Sequence, residues 1–376
     1  MKISVCYIVK NEAANLPRSL ATVTGFADEL IVADTGSEDV SREIAAQAGA
    51  KVLDYVWQDD FAAARNFTLD AATGDWIIFL DADEGFLHPA AVRGAVEELD
   101  AVRPSLDAVM VEVVEMDADE KYREIGRDRL LRLFRRSPSL RYRGRVHENI
   151  ARIDGQLRLG FADARLSLYH TGYSSGIVRR KVERNLRLLQ KDMAEYGEGP
   201  QHYPGLADCY FGLKDYRKAL KYAILSLDSP IDTVAARSHS FHTAIESMRQ
   251  LDWDLAEMLA LAERAIAEFP KKPEFYGEGG MILCGMGRLK DARVSLQRAA
   301  ALYEHPEDGG IEAGYYSPRT ASVVYARLGE LAALAGDTAE AETYFRQALT
   351  TDPTNEAARQ KYEKFCREGE RHEREG

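Results

Sequence analysis

Residues 74–84 read GDWIIFLDADE. Gly74 ends what precedes it, Trp76–Leu80 is an unbroken apolar run, and Asp81, Asp83 and Glu84 follow at once. A run this short, bounded by glycine and acids, fits a strand buried on both faces better than a helix. Carboxylates at the end of such a strand lie at the carboxyl edge of a sheet, where open α/β folds bind their ligands.

The same pattern recurs toward the N-terminus. Ile3–Val9 is a β-rich apolar run, Leu30–Ala33 a second that ends in Asp34-Thr35-Gly36-Ser37, and Lys51–Tyr55 a third. Helical patterns fill the gaps: one after Asn11, read as an N-cap, then Val40–Ala48 and Asp60–Ala72. Apolar strands alternating with helices predict an α/β domain built on a mainly parallel sheet covered on both faces. Asp34 and Asp81, each following a strand, then face one crevice. Beyond Pro89 a helix runs to about Asp100, and Ala108–Val114, Leu130–Arg135 and Arg165–His170 read as further strands.

From Ser175 onward the pattern is helical. Its clearest internal repeat runs from Tyr325 to Pro353, where Leu328-Gly329, Gly336, Ala341, Phe345, Ala348 and Pro353 take the packing positions of a tetratricopeptide repeat. Gly287, Ala292, Leu296 and Ala299 repeat its second half, Ala219 and Ala223 do so more loosely, and Ala262, Ala265 and Pro270 mark a degenerate copy. Each hairpin exposes an apolar face that a neighbour must cover, so three or four are expected to stack. The division predicted is 1–174 for the α/β domain, 175–199 for a connecting helix and 200–376 for an all-α repeat domain.

The chain has 376 residues and a formal net charge of -12. That balance argues against a general nucleic-acid binder, which needs a basic face to neutralise phosphates. No stretch approaches the roughly 18 apolar residues of a membrane span. Cys6, Cys209, Cys284 and Cys366 are far apart and form no CxxC pair, which fits packed thiols and a cytoplasmic location.

Asp81 and Asp83 carry the most chemistry. Two aspartates one residue apart at a strand end can direct oxygens at one hard cation such as Mg²⁺ or Mn²⁺, which also bridges diphosphate oxygens. Nine arginines lie between Arg123 and Arg145. Any one of them reads best as the partner of a surface acid, with one or two clamping a donor diphosphate or steering an acidic acceptor. The later basic segment RRKVERNLRLLQK, from Arg179 to Lys191, reads as an amphipathic helix with Val182, Leu186 and Leu189 inward.

The segments IVKNEAANLPRSL, ELIVADTGSEDVSREIA, WQDDFAAARNFTLDAATGDWIIFLDADE and RGRVHE resemble family 2 glycosyltransferases of the GT-A fold, over about Met1 to Gly172. The resemblance implies a UDP-sugar donor and a divalent metal. It places Asp34 at the uridine, Asp59 or Asp60 near the uracil, and Arg65 in the nucleotide pocket. It sets Asp83 on the metal, Asp81 near ribose and metal, and Gly144 in the acceptor-side loop. His170 matches a histidine that completes the metal shell. Glu148 stands where the general base is expected, but the pair here is His147-Glu148 instead of Glu-Asp. Two assignments follow: Glu148 is the base, or His147 is the base or a metal ligand that Glu148 orients.

This domain joined to helical repeats is similar to bacterial peptide glycosyltransferases, including those that modify cysteine in sublancin-like peptides. The similarity implies inverting transfer to a Cys, Ser or Thr side chain of a peptide or protein. The same motifs resemble lipopolysaccharide-core glycosyltransferases, which implies a saccharide acceptor and repeats that serve homodimerisation or recruitment. A non-catalytic nucleotide-sugar-binding scaffold is the third reading.

Overall fold

The computed structural model describes residues 1–117, 123–172, 175–230, 234–305 and 317–375. The chain divides into two compact units, Met1–Gly197 and Glu198–Gly376. The expected boundary at residue 174 lies outside the described residues. The helix read as a connector belongs to the first unit.

Eleven strands are described in the first unit: β1 (Ile3–Val9), β2 (Glu29–Asp34), β3 (Lys51–Asp54), β4 (Trp76–Phe79), β5 (Glu84–Phe86), β6 (Ala108–Asp117), β7 (Arg123–Arg135), β8 (Leu140–Arg143), β9 (Asn149–Arg152), β10 (Leu159–Phe161) and β11 (Leu168–His170). Its helices are α1 (Leu16–Ala21), α2 (Ser41–Gln47), α3 (Phe61–Ala71), α4 (Pro89–Val102) and α5 (Ser175–Tyr196).

The main sheet runs β3-β2-β1-β4-β7-β6-β11-β5, with β10 also on β6, and β8–β9 form a separate hairpin. The pairings β1–β2, β2–β3 and β1–β4 are parallel, as the alternation of strands and helices predicts. β7 enters antiparallel between β4 and β6. The sheet is therefore mixed beyond β4, while β6–β10 and β6–β11 are again parallel. Trp76, Ile77, Ile78, Phe79 and Leu80 are all buried, so the run flanking Asp81 is a core strand.

Asn11 is not a helix cap. It adopts φ 56°, accepts a hydrogen bond at Oδ1 from Glu38 N–H at 2.8 Å and donates its own N–H to Ser37 Oγ at 3.0 Å. It ties the loop after β1 to the loop after β2, and α1 starts at Leu16. A side-chain oxygen ahead of an apolar pattern suits a cap and a loop bridge alike, and here the neighbouring strand provides the partners.

The second unit stacks helical hairpins: α6 (Tyr203–Gly212) with α7 (Tyr216–Leu227), α8 (Val234–Gln250) with α9 (Leu255–Glu268), α10 (Pro273–Gly285) with α11 (Leu289–Glu304), and α12 (Pro318–Leu334) with α13 (Thr338–Thr351), followed by α14 (Glu356–Glu375). The turns share one device, a residue at positive φ: Lys214, Asp252, Gly287 and Gly336. Gly329 lets the α12–α13 pair close, since a Cβ there would lie 3.0 Å from the Phe345 ring. Ala292, Ala299, Ala341 and Ala348 are fully buried, which explains the spacing of small residues read as a repeat.

Among the described residues no helix is long and apolar enough to cross a membrane. The four cysteines are free. Cys6 and Cys209 are buried, Cys284 is half-buried and Cys366 is exposed, so the packed-thiol expectation does not extend to Cys366.

Candidate active site

Asp81, two residues past the end of β4, joins a chain of alternating charges. Arg65, from the middle of α3, donates through Nη2 to Asp81 Oδ1 at 2.9 Å and through Nε to Glu148 Oε1 at 2.5 Å. Arg132 on β7 donates through Nη2 to Asp81 Oδ2 at 2.7 Å and to Glu84 Oε1 at 2.6 Å. Burial alone would raise Asp81, but the two guanidiniums hold it well below the usual carboxylate range. Burial pushes Glu84 upward despite Arg132. Glu84 Oε2 also accepts from Asp81 N–H at 3.0 Å, which fixes the turn carrying Asp81-Ala82-Asp83. Arg65 is buried beneath aromatic rings, its guanidinium carbon 4.6 Å from the Phe79 centroid and 5.4 Å from Tyr142.

Beside this chain lies a second group. His170, on β11, is flanked in register by Glu115 of β6 and Glu84 of β5. Its Nδ1 lies 2.6 Å from Glu115 Oε2 and its Nε2 lies 3.4 Å from Asp83 Oδ2. Burial would lower the imidazole, but its bonds to Asp83 and Glu115 raise it to about 10. Asp83 is lowered, its burial offset by His170.

Gly172 shows what this corner is shaped to hold. A Cβ there would lie 2.5 Å from His170 Nε2 and 2.6 Å from Asp83 Oδ2. The missing side chain leaves open the space onto which both donor atoms converge. A carboxylate oxygen and an imidazole nitrogen, the latter oriented through Nδ1 by a second carboxylate, make a donor set that suits a divalent cation. Among the described residues no group of three or more His, Cys, Asp or Glu side chains is gathered as a closed metal cage. Two protein ligands with open positions suit a cation that also binds diphosphate oxygens.

Asp34 is buried at the end of β2 and accepts from Gly36 N–H at 3.2 Å, Ser37 N–H at 3.1 Å and Arg42 Nη1 at 3.2 Å. Burial would raise it, and these bonds, led by Ser37, lower it. Asp60 caps α3 by accepting from Ala63 N–H at 2.8 Å. Asp59, at φ 60°, binds Arg187 at 2.8 Å and Lys191 at 3.1 Å, both on α5. Those two cations lead in lowering it far below the usual carboxylate range. Gly144, at φ 96°, opens the turn that turns Glu148 inward, and a side chain is strained at that φ. Glu148 joins the charge chain through Arg65, whereas His147, at φ 55°, is exposed.

Of the residues singled out from sequence, Asp81, Arg65 and Glu148 thus form one network and Asp83 and His170 another. Asp34 and Asp60 serve their own loop and helix, and Asp59 anchors α5 through Arg187 and Lys191. Sequence reading gave no specific role to Arg132, Glu84, Glu115 or Gly172. Cross-strand register is the signal that finds Glu115, because it lies opposite His170.

Residues 4–163 match the model for glycosyl transferase family 2, and residues 323–355 match a tetratricopeptide repeat. The N-terminal unit is a family 2 glycosyltransferase domain. The chain is 32% identical over 266 residues to a TPR repeat-containing protein of Synechococcus elongatus, covering 68% of this chain and 64% of that one. It is 28% identical over 200 residues to the SPbeta prophage-derived glycosyltransferase SunS of Bacillus subtilis, covering 52% and 46%. An uncharacterized glycosyltransferase of Rickettsia felis is 41% identical over 83 residues, 22% of this chain and 29% of that one. The chain therefore spans less than two thirds of the length of each of these relatives. The family 2 domain and the tetratricopeptide repeat occupy separate units, and the charge network lies wholly within the former.

Proposed function

We propose that this chain transfers a sugar from a UDP-sugar to a side-chain hydroxyl or thiol of a peptide or protein, with inversion and with a divalent cation. The observation that carries the reading is the cradle at Gly172, where Asp83 and an imidazole oriented by Glu115 converge in a family 2 domain. Asp83 and His170 hold the cation, with Asp81 close by. When bound, Mn²⁺ or Mg²⁺ stabilises charge on the departing diphosphate.

The chain's own residues account for the remaining steps. Asp34 and Asp60 flank the nucleoside end, and Arg65 fixes Asp81 and Glu148 at once. Glu148 takes the proton from the acceptor O–H or S–H through Oε2, since Oε1 is occupied by Arg65. The acceptor atom bonds to the anomeric carbon as the carbon–phosphate-oxygen bond breaks, and that electron pair leaves with the nucleoside diphosphate. One displacement inverts the centre, so no covalent enzyme nucleophile is required. Glu148 is favoured over His147 as the base because only Glu148 reaches the Arg65–Asp81 network.

A polypeptide acceptor is supported by the stacked hairpins, an architecture that presents extended surfaces to peptides. Thermal shift with UDP plus Mn²⁺, against UDP alone and Mn²⁺ alone, tests the donor site. Cooperative stabilisation by the pair is expected. The absence of any stabilisation would remove the donor site on which the transferase reading rests. Mass spectrometry of a candidate peptide incubated with UDP-sugars then tests the acceptor.

A further inference from the structure

The nine arginines between Arg123 and Arg145 would be the obvious place to seek a phosphate clamp. The structure engages those nearest the site elsewhere. Arg132 is held by Asp81 and Glu84, Arg135 by Asp100, Arg141 by Asp70, and Arg145 by Asp192 and Glu195. Arg65 is committed to Asp81 and Glu148.

α5 contributes different cations. It is tied to the domain at its C-terminal half, where Arg187 and Lys191 grip Asp59 and where Asp192 and Glu195 receive Arg145. One to two turns earlier the behaviour changes. Lys181 stands within electrostatic reach of Asp83 and Glu12, yet among the described residues its one polar contact is a long one, 3.5 Å, to Gly172 O. Arg184, whose residue surface is largely exposed, stands within electrostatic reach of Glu148 and Asp81, and partial desolvation of its guanidinium lowers it. Its guanidinium rests 4.9 Å from the Phe61 ring centroid, and its Nε and Nη2 donate only to neighbouring Asn185 Oδ1, at 3.2 and 3.1 Å. Among the described residues neither Lys181 nor Arg184 forms an ion pair. Three residues apart on a helix, they share a face.

Cations that neighbour carboxylates normally collapse into salt bridges, as Arg187 and Lys191 do. Two that stop short, one within electrostatic reach of Asp83 and the other of Asp81, are placed to meet an anion that binds beside the Asp81–Asp83 turn. We propose that Lys181 and Arg184 form a diphosphate subsite in which α5 covers the donor and stabilises the leaving group. The Phe61 face holds the Arg184 plane without consuming Nη1, which leaves donors for phosphate oxygens. This rests on the donor reading above and adds to it the helix that closes on the nucleotide's phosphates.

The test is calorimetric titration of the full chain in Mn²⁺ with UDP and, separately, with uridine. Lys181→Gln and Arg184→Gln should each weaken UDP about tenfold or more, the range for losing a charged hydrogen bond. Each should leave uridine within about twofold of wild type, and Arg184→Lys should recover part of the UDP loss. Arg179→Gln removes the same charge from a position paired with Glu183 and should leave both ligands unchanged. Unaltered UDP affinity in both glutamine variants overturns the subsite. So does an equal loss for UDP and uridine, since that marks a helix acting only as a lid. A wild-type chain that binds no UDP in Mn²⁺ overturns the donor reading itself, a result distinct from either of these.

Discussion

Replacing Gly172 by alanine should block the cation without replacing either ligand residue. The new methyl group would lie 2.5 Å from His170 Nε2 and 2.6 Å from Asp83 Oδ2, distances that real Cβ atoms do not occupy. The backbone of Gly172 is outside the left-handed region, so alanine adds no conformational strain and the effect is purely one of volume. Both side chains must move by several tenths of an ångström. Metal–ligand distances tolerate about 0.2 Å, and disturbing the groups that orient a ligand costs about 10–100-fold in metal affinity. We expect the gain in UDP affinity conferred by Mn²⁺ to fall by that factor, while binding of UDP without metal is unchanged. Crowding this corner should cost about 1–3 kcal/mol of stability, or several degrees in Tm for a unit of this size. Calorimetric titration with and without Mn²⁺, paired with thermal melts, reads both effects. A Gly172→Ala chain whose Mn²⁺-dependent gain equals that of wild type would refute the placement of the metal.

Glu148→Gln should keep donor affinity and slow transfer by about 10²–10⁴-fold, as expected for loss of a general base, measured by product formation under saturating donor. Normal turnover would return the role to His147. Arg132→Met should destabilise the first unit by about 3–5 kcal/mol in denaturant titrations, because it leaves the buried Glu84 carboxylate without its counter-charge. In the second unit, burial raises Glu274 to about 7 from 4.5. A carboxyl raised in this way favours the native state while protonated. Its contribution is complete below pH 4.5 and is lost as pH climbs through 7. Glu274→Gln should therefore stabilise by about 3 kcal/mol above pH 8 and by little near pH 4.5 in melts across that range. A pH-independent difference would count against a buried carboxyl there.

Much of the fold could be read along the chain because its signals are local. Trp76–Leu80 announces a core strand by being apolar on both faces, and the buried alanines of α11 and α13 announce tight helix pairing. The short strands β5, β8, β9 and β10 escaped notice. Three or four residues carry too little periodicity to stand out, and their existence depends on partners far along the chain. Asn11 was misread for a related reason, since its true partners are Glu38 and Ser37 in another loop.

The site divides along the same line. Asp34, Asp81 and Asp83 are acids at strand ends or the turn after one, and their type and position marked them as candidates, whereas Glu148 was marked by the resemblance to family 2 glycosyltransferases. Sequence could not reveal which carboxylate would meet which cation. His170 reaches Glu115 across 55 residues through sheet register, and Arg65 reaches Glu148 across 83 from helix α3 to the loop before β9; neither meeting comes from chain neighbourhood. Of the basic residues, the chain alone showed charge and helical spacing. Only packing decided that Arg132 is buried against Glu84 while Lys181 and Arg184, among the described residues, form no ion pair. Charge pairing falls off within a few ångströms, and such distances between remote residues exist only once the chain is folded.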